Sequence, residues 1–244
     1  MPAMKKGVLR IVIALAVTGV LLLLVWQFVA AQFTVMSPRA GRTFLAGDHL
    51  LVSRMSYGSR LPFMSSLGHH RIGSGSPARG EWMAYNLPSD TANDVADRPV
   101  MIGKCVFLPG DTVRLTPERV LVFGGPHSRR VNAFVVPAKG ARVEVTPANA
   151  RLLCNTINLH EPCHSAVMYG DTLFIDGHAA RFITFTQNYY WVYSGDQYNL
   201  YDSRRFGFVP ETHLIGRVSS ILYSIDPEEP FYRMFRKGRF FCSP

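Results

Sequence analysis

The sequence predicts a mainly β protein, an antiparallel sandwich or barrel that follows one apolar helix at the N terminus. The first observation is a series of short segments rich in Val, Ile, Phe and Tyr, which suit a pleated, half-buried surface. The second is a set of Gly, Pro and Asp turn signals between these segments. The third is a single uncharged run over residues 11–33, behind which only Pro210–Leu214 indicates a short helical turn.

The uncharged run at residues 11–33 predicts a transmembrane anchor. About 20 apolar residues cross a bilayer as a helix, whereas the apolar core of a cleaved signal peptide has about 7–15. A buried helix of a soluble protein is disfavoured because the run has no polar stripe. The basic residues within 1–10 place that end in the cytoplasm by the positive-inside rule, so we expect residues 34–244 on the other side.

Ten segments of the body have strand character, and turn residues separate them. In order they are HLLVSR, EWMAYN, PVMIGKCVF, TVRL, RVLVFGG, ARVEV, DTLFIDG, ARFITFT, YYWVYSG and LIGRVSSILYSI. Residues 64–80 form a basic Gly/Ser-rich stretch typical of a loop, and residues 126–162 are irregular enough to predict a small inserted subdomain. The tail FYRMFRKGRFF mixes basic and aromatic residues, which suits either a membrane interface or a solvated end.

The charge of the chain indicates an anionic partner. The formal net charge is +9 and the sequence pI is about 9.7. A compact basic helix, a zinc finger and an RNP-type motif are all missing from the sequence, so membrane lipid is favoured over nucleic acid.

The cysteines and histidines predict neither a metal site nor a cofactor. Cys154 and Cys163 lie close together, and an extracytoplasmic body permits a disulfide between them; a bridge and two free thiols are both open. The segment HEPCH, residues 160–164, lacks a second cysteine at zinc or haem spacing. The sequence also lacks a Gly-x-Ser-x-Gly elbow and a phosphate-binding loop.

Three blocks of the body resemble segments of bacterial type I signal peptidases. GDHLLVSRMSYGSRLP resembles the segment after the nucleophile, MIGKCVFLPGD resembles the general-base segment, and GDQYNLYDSRRFGFVPETHLIGRV resembles the third conserved block. The three follow the apolar run in the order of that family. The residues that match its motifs are Gly47, Asp48, Pro109, Gly110, Asp111, Gly195, Asp196, Asp202, Ser203 and Arg204.

The resemblance implies an extracytoplasmic β fold anchored in the bacterial inner membrane. That family removes signal peptides from exported proteins, with a serine hydroxyl as nucleophile and a lysine amine as general base. The lysine must be neutral to act, and burial in an apolar site lowers its pKa toward the working range. A second serine orients the lysine, and backbone and hydroxyl donors stabilise the oxyanion.

The three chemical positions of the family are replaced in this sequence. The nucleophile position, eight residues before the glycine of the first Gly-Asp, holds Arg39. The base position, five residues before Leu-Pro-Gly-Asp, holds Gly103. The orienting serine falls on Leu200, in a block one residue shorter than the family pattern. The sequence therefore predicts the scaffold of a peptidase without its dyad.

Ser37 and Lys104 are the displaced candidates for a rescued dyad. Moving two residues along a strand shifts a side chain by about 6.5 Å on one face, and moving one residue turns it to the other face. Both shifts would have to end within about 3 Å of each other. Arg39 is always charged and supplies no nucleophile. In the third block, we expect Asp202 and Arg204 to form an ion pair that shapes the loop.

Three hypotheses follow. The first is a non-catalytic relative that keeps the fold and the anchor and binds signal peptides, preproteins or an active signal peptidase through β-augmentation. The second is an active signal peptidase that uses Ser37 and Lys104. The third is a structural envelope protein that binds no peptide.

Overall fold

The computed structural model of the chain describes residues 7, 10–21, 29–35, 43–60, 71–115, 132–195 and 201–244. It confirms the mainly β, antiparallel fold. The strands are β1 Ala30–Thr34, β2 Asp48–Ser53, β3 Ser59–Arg60, β4 Arg71–Ile72, β5 Trp82–Asn86, β6 Val100–Phe107, β7 Thr112–Leu115, β8 Asn132–Val135, β9 Arg142–Glu144, β10 Ala166–Tyr169, β11 Thr172–Ile175, β12 His178–Ala179, β13 Phe182–Thr184, β14 Tyr189–Tyr193, β15 Val209–Pro210 and β16 Leu214–Ser224. Helices cover residues 10–21, Ala150–His160 and Ser203–Phe206, with 3-10 turns at Arg54–Tyr57 and Glu211–His213.

A curled sheet of seven strands organises the body. Its order is β1-β2-β16-β5-β6-β14-β15, and every neighbouring pair is antiparallel. The 11-residue β16 lies between β2 and β5, and its register shifts between Leu214 and Gly216 and again between Val218 and Ser220. Such irregularities bend a strand and increase its twist, which lets the sheet curl.

Alternation along the strands builds two separate cores on the sheet. The Trp82 cluster contains Val35, Phe44, Leu50, Val52, Trp82, Ala84, Ile215, Val218 and Ile221. The Tyr85 cluster contains Tyr57, Met83, Tyr85, Met101, Cys105, Tyr190, Val192, Val209 and Leu214. Successive residues of β5 enter the two clusters in turn, as the two-residue period of a strand requires.

The described part of residues 126–162, predicted to be a small inserted subdomain, packs into one core with strands that follow it. The hairpin β7–β8, the pair β9–β13, the strands β10 and β11 and the helix Ala150–His160 share this third core with Trp191 and Phe208. The core therefore extends past residue 162, and a separate unit at 126–162 stays a prediction. Sequence analysis also missed the helix itself, and the predicted strand RVLVFGG lies outside the described residues.

The N-terminal prediction needs one correction. Residues 30–33, predicted to be the end of the anchor, belong to β1, where Ala30 pairs with Ser53 and Thr34 with His49. The strand forms because Ala31 is buried, while the Gln32 side chain donates a hydrogen bond to the Tyr223 hydroxyl at 2.9 Å. Among the described residues, none of the helices has both the length and the apolar character needed to span a membrane.

All four cysteines are free thiols, so the bridge considered between Cys154 and Cys163 is not formed. The reason is their placement. Cys154 lies on the helix Ala150–His160 with its Sγ 3.5 Å from the Ala166 carbonyl oxygen, whereas Cys163 is exposed beyond the end of that helix.

The C-terminal tail returns to the sheet. Ile221 pairs with Cys242, and Ile225 pairs with Phe235. Phe231 and Phe241 nevertheless remain 84% and 77% exposed, so the tail presents aromatic side chains to the outside on both sides of its basic residues.

Candidate functional site

The base position on β6 has no room for a side chain. A Cβ atom added to Gly103 would lie 2.3 Å from Cγ1 of Val192 and 3.4 Å from Cε1 of Tyr85. Carbon atoms without a bond between them do not approach to 2.3 Å, since their optimal separation is about 3.5–4.0 Å. Val192 and Tyr85 are fully buried, so neither can swing aside into solvent. Apolar side chains therefore fill the space that a general base would occupy.

Val192 is held in that space by the third block. Its N–H donates to the Ser203 hydroxyl at 2.8 Å, and the N–H of Ser194 donates to the Asp202 carboxylate at 3.0 Å. Asp202 also caps the short helix Ser203–Phe206 by accepting from the Arg204 N–H. These contacts fix the loop against β14 and, with it, the position of Val192.

The predicted ion pair between Asp202 and Arg204 is confirmed. The guanidinium binds the carboxylate at 2.7 Å from Nη2 and at 2.9 and 3.1 Å from Nε. The Asp202 side chain is fully buried and that of Arg204 is 5% exposed. A pair this deeply buried stabilises only as a unit, because removing one partner leaves an uncompensated charge.

Lys104 faces the opposite side of β6 from Gly103. Its Nζ lies 6.0 Å from the centre of the Trp82 ring. Trp82 is the residue of β5 that pairs with Lys104. Phe44 packs edge-on against the same ring, with ring centres 4.9 Å apart, and Val35 belongs to the same Trp82 cluster. Lys104 therefore lies on the same face as Val35 and Phe44. These two residues of the Trp82 cluster flank residues 36–42 in the sequence.

Several predicted site residues lie outside the described part of the chain. Ser37 and Arg39 fall within residues 36–42, and Asp196 and Leu200 fall within residues 196–200. The replacement of nucleophile and orienting serine, and the Ser37–Lys104 pair, stay predictions. The structure places Gly103 and Lys104 but does not bring Lys104 together with a serine among the residues it describes.

The retained Gly47-Asp48 serves the turn before β2. Gly47 has a φ of +89°, and a Cβ there would lie 1.8 Å from the Ile225 carbonyl oxygen, so only glycine fits. Asp48 accepts the Leu45 N–H at 2.8 Å and binds Arg239 of the tail. Burial raises the pKa of Asp48, but hydrogen bonds, first of all from Arg239, outweigh burial and keep that pKa below its ordinary value.

The retained Pro109-Gly110-Asp111 serves the turn after β6. The Asp111 carboxylate accepts the Leu108 N–H at 2.6 Å and pairs with Arg79 at 2.7 Å. This part of the base motif therefore acts on the backbone of the turn, not on a substrate.

Other chemistry finds little support at this site. Burial raises the pKa of the Cys105 thiol to about 12, so the thiolate needed for nucleophilic attack is not formed near neutral pH. Groups of His, Cys, Asp and Glu that could hold a metal ion do not occur among the described residues.

On its second side, β6 pairs with β14 from Phe107 to Lys104, where Tyr193 is the last partner. Residues 100–103 pair with β5 on their other side. Among the described residues, no strand pairs with residues 100–103 on the β14 side, and Met101 and Gly103 are buried there.

Sequence reasoning identified Gly103 but missed Val192 and Tyr85. The sequence YYWVYSG, which contains β14, does not indicate which of its residues contacts the glycine on the neighbouring strand β6. The only sequence signal was the glycine in a strand interior, which often marks a close approach by a neighbouring chain segment.

Comparison with known proteins agrees with the motif pattern. Residues 6–223 match the family described as Signal peptidase, peptidase S26. Proteins named Signal peptidase I from Pseudomonas aeruginosa and Pseudomonas fluorescens are each 33% identical over 105 residues, which is 43% of this chain. The match spans about a third of those two relatives, 34% of their length. A Signal peptidase I from Buchnera aphidicola is 22% identical over 253 residues, covering 92% of this chain and 78% of that relative.

Proposed function

The chain belongs to the signal peptidase family, peptidase S26, and we propose that it is a non-catalytic member that binds signal peptides of exported proteins. The observation that carries the proposal is the filled base position. Gly103 supplies no amine, and Val192 takes the volume that a lysine side chain would need. A serine hydroxyl without an adjacent base is a weak nucleophile at neutral pH.

The proposed peptide site is the β14 side of residues 100–103, where no strand pairs among the described residues. An extended peptide that adds to a sheet edge gains main-chain hydrogen bonds, and its alternate side chains enter pockets beside the strand. Those bonds need backbone groups and no nucleophile, so replacing the dyad leaves them available. The occupant is an extended segment of a signal peptide or preprotein, and an active signal peptidase that carries such a segment is a further partner.

Anchoring in the bacterial inner membrane is part of the proposal. Residues 11–29 are uncharged, and the residues before them are basic. The exposed Phe231 and Phe241 of the tail flank the basic stretch 233–239, a combination that suits the lipid headgroup region. The body would then meet signal peptides as they leave the membrane on the extracytoplasmic side.

Fluorescence anisotropy with the full chain in detergent tests peptide binding. A labelled synthetic signal peptide should bind saturably. Two peptides N-methylated at odd or at even positions form the matched control, because only one set of alternate N–H groups faces the strand in β-augmentation. One of the two should lose binding and the other should keep it. Equal loss for both, or no saturable binding of the parent peptide, would contradict the proposal and favour a structural envelope protein.

A pull-down from native membranes tests the partner. The wild-type chain should recover preproteins or an active signal peptidase. Recovery of neither, from membranes that contain both, would count against the proposed role in protein export.

An active enzyme is the second candidate, and the placement of Lys104 favours it. Lys104 shares the Trp82 face with Val35 and Phe44, which bracket the segment that contains Ser37. This candidate predicts cleavage of a preprotein that both Ser37→Ala and Lys104→Ala abolish.

A further inference from the structure

A second concave region lies away from Gly103. It is a cavity of about 670 Å³ between residues 71–74, residues 211–213 and the C-terminal end of the helix Ala150–His160. Neither Gly103 nor Val192 nor Lys104 lines it. Its charged lining residues are Arg71, Arg98, Lys139 and Glu211, which give three cations against one carboxylate.

The guanidiniums at this cavity form no close ion pair among the described residues, although the charge of Glu211 acts on Arg71 and that of Asp90 on Arg98. Arg71 donates to five backbone carbonyls, among them those of Glu211 at 2.8 Å and Tyr57 at 3.2 Å. The neighbouring Arg60 donates to the Asn86 side chain and the Thr212 carbonyl, and its buried Nε has no partner among the described residues. Buried cations in a protein normally have an anion beside them, whereas the charges that act on Arg60 are those of the cations Arg71 and Arg54.

Arg98 is poised to contact a ligand. Its Nε donates to the Asn93 carbonyl, and its Nη1 lies 2.9 Å from Nε2 of His213. Because an arginine nitrogen can only donate, the histidine nitrogen is the acceptor in this contact. Nη2 of Arg98 has no partner among the described residues. The exposed Lys139 ammonium likewise has none.

We propose that this cavity binds a phosphate-bearing anion. Charged donors bind phosphate oxygens strongly: Arg98 has Nη2 to donate, and Lys139 adds a point charge. Arg71 contributes its charge, because its Nη atoms already donate to backbone carbonyls. The volume exceeds that of one phosphate ion and accommodates a phosphate with an attached glycerol-sized group. The repulsion by Glu211 is reduced because its carboxylate lies in the field of Arg71 and accepts from the Asn188 amide at 2.9 Å. The source of the phosphate is either a soluble phosphorylated compound or the headgroup of an anionic phospholipid.

Isothermal titration calorimetry with the full chain in detergent tests the site. The probes are sn-glycerol 3-phosphate and inorganic phosphate, with sodium chloride at matched ionic strength as the reference. Saturable binding of sn-glycerol 3-phosphate is expected, and Arg98→Gln should weaken it about tenfold, the value of one lost charge-assisted contact. Lys139→Gln, a change at an exposed residue that should leave the fold intact, should weaken it several-fold.

Arg151→Gln is the matched control. Arg151 lies at the N-terminal end of the helix Ala150–His160, whose C-terminal end lines the cavity. The variant therefore removes one positive charge at a distance from the cavity. Its affinity should equal that of the wild type. Equal weakening by Arg151→Gln and Lys139→Gln, or a response no different from sodium chloride, would show general charge attraction and overturn the proposal.

Nanodiscs of defined lipid composition distinguish a lipid headgroup from a soluble phosphorylated compound as the ligand. If the ligand is a lipid headgroup, the chain should bind phosphatidylglycerol nanodiscs more tightly than phosphatidylcholine nanodiscs, and Lys139→Gln should reduce that difference while Arg151→Gln does not. If the ligand is soluble, the glycerol phosphate titration alone should depend on Lys139. Dependence on Lys139 in neither arm would end the proposal. Signal-peptide binding should be the same in Lys139→Gln and wild type, so this test does not depend on the proposed function.

Discussion

The three motif carboxylates that the structure describes and the predicted base position belong to the same family blocks, yet their surroundings differ completely. Asp48, Asp111 and Asp202 each accept a backbone N–H from their own turn and each bind an arginine. Gly103 instead faces the apolar side chains of Val192 and Tyr85. The comparison teaches that much of the motif maintains the fold. The presence of these residues therefore does not by itself indicate catalysis.

The largest expected effect is at Asp202. Asp202→Asn keeps the shape but leaves the buried Arg204 without a counter-charge, so the free energy of unfolding should fall by about 3–5 kcal/mol. Urea denaturation in detergent measures it. Asp176→Asn, which removes the carboxylate of an exposed pair with His164, is the matched control and should lower the free energy of unfolding far less. Equal costs for the two variants would contradict the contrast between a buried and an exposed charge pair.

The second largest effect is expected at Gly103, where an added side chain would collide with Val192. Gly103→Ala forces a Cβ against Val192 and should lower the free energy of unfolding by about 1–3 kcal/mol, the usual cost of overpacking. Val192→Ala removes the colliding methyl groups. The double variant should therefore lose less stability than the sum of the two single variants. Strict additivity would show that the two residues do not compete for one space.

The pH dependence of stability tests the environment of His160, which lines the cationic cavity. Burial, and then the charge of Arg98, lower the pKa of His160 from 6.5 to about 4 in the folded chain. The unfolded chain therefore binds an extra proton between those values, so stability should fall as the pH drops from 6.5 toward 4. The contribution is about 1.4 kcal/mol per pH unit at most.

The control for this effect is His160→Gln, measured by urea denaturation in phosphate-free buffer. The other groups that face His160 are the ring of His213 at 5.1 Å, the Tyr189 ring at 6.2 Å and the nearby Glu161, whose carboxylate accepts from the Tyr189 hydroxyl. These remain in the variant, so the difference between the two pH profiles isolates His160. Parallel profiles would contradict the assignment of a neutral, buried histidine.

The smallest effect is expected at the Asp111 turn. The Arg79 side chain in its ion pair is 51% exposed, and exposed pairs contribute about 0.2–1 kcal/mol. Arg79→Gln should therefore shift the thermal midpoint by a few degrees at most, because the Leu108 N–H still binds the carboxylate. A loss as large as that of Asp202→Asn would mean that the turn depends on the arginine.

Sequence patterns predicted the strands well because their signal is local. β2, β5, β6, β14 and β16 all fall where Val, Ile and aromatic residues cluster between turn residues. The helix Ala150–His160 was missed although Leu153 and Ile157 are spaced as a buried helical face, because residues 126–162 have no regular apolar period overall and were assigned to an irregular insertion.

The filled site could not be predicted in the same way. The identity of residue 103 is visible in the sequence, but its neighbour Val192 comes from β14, and their contact depends on the register shift beside Trp191. The cationic cavity depends likewise on residues far apart in the chain, such as Arg71 and His213. Long-range packing of this kind has no local sequence signal.

Incubation of the purified full-length chain with a preprotein in detergent tests the central claim most directly. Because Val192 fills the space beside Gly103, we predict no cleavage product above a control without the protein. Product that forms with the wild type and disappears with Lys104→Ala would contradict it, since an amine on the other face of β6 would then be acting as the base.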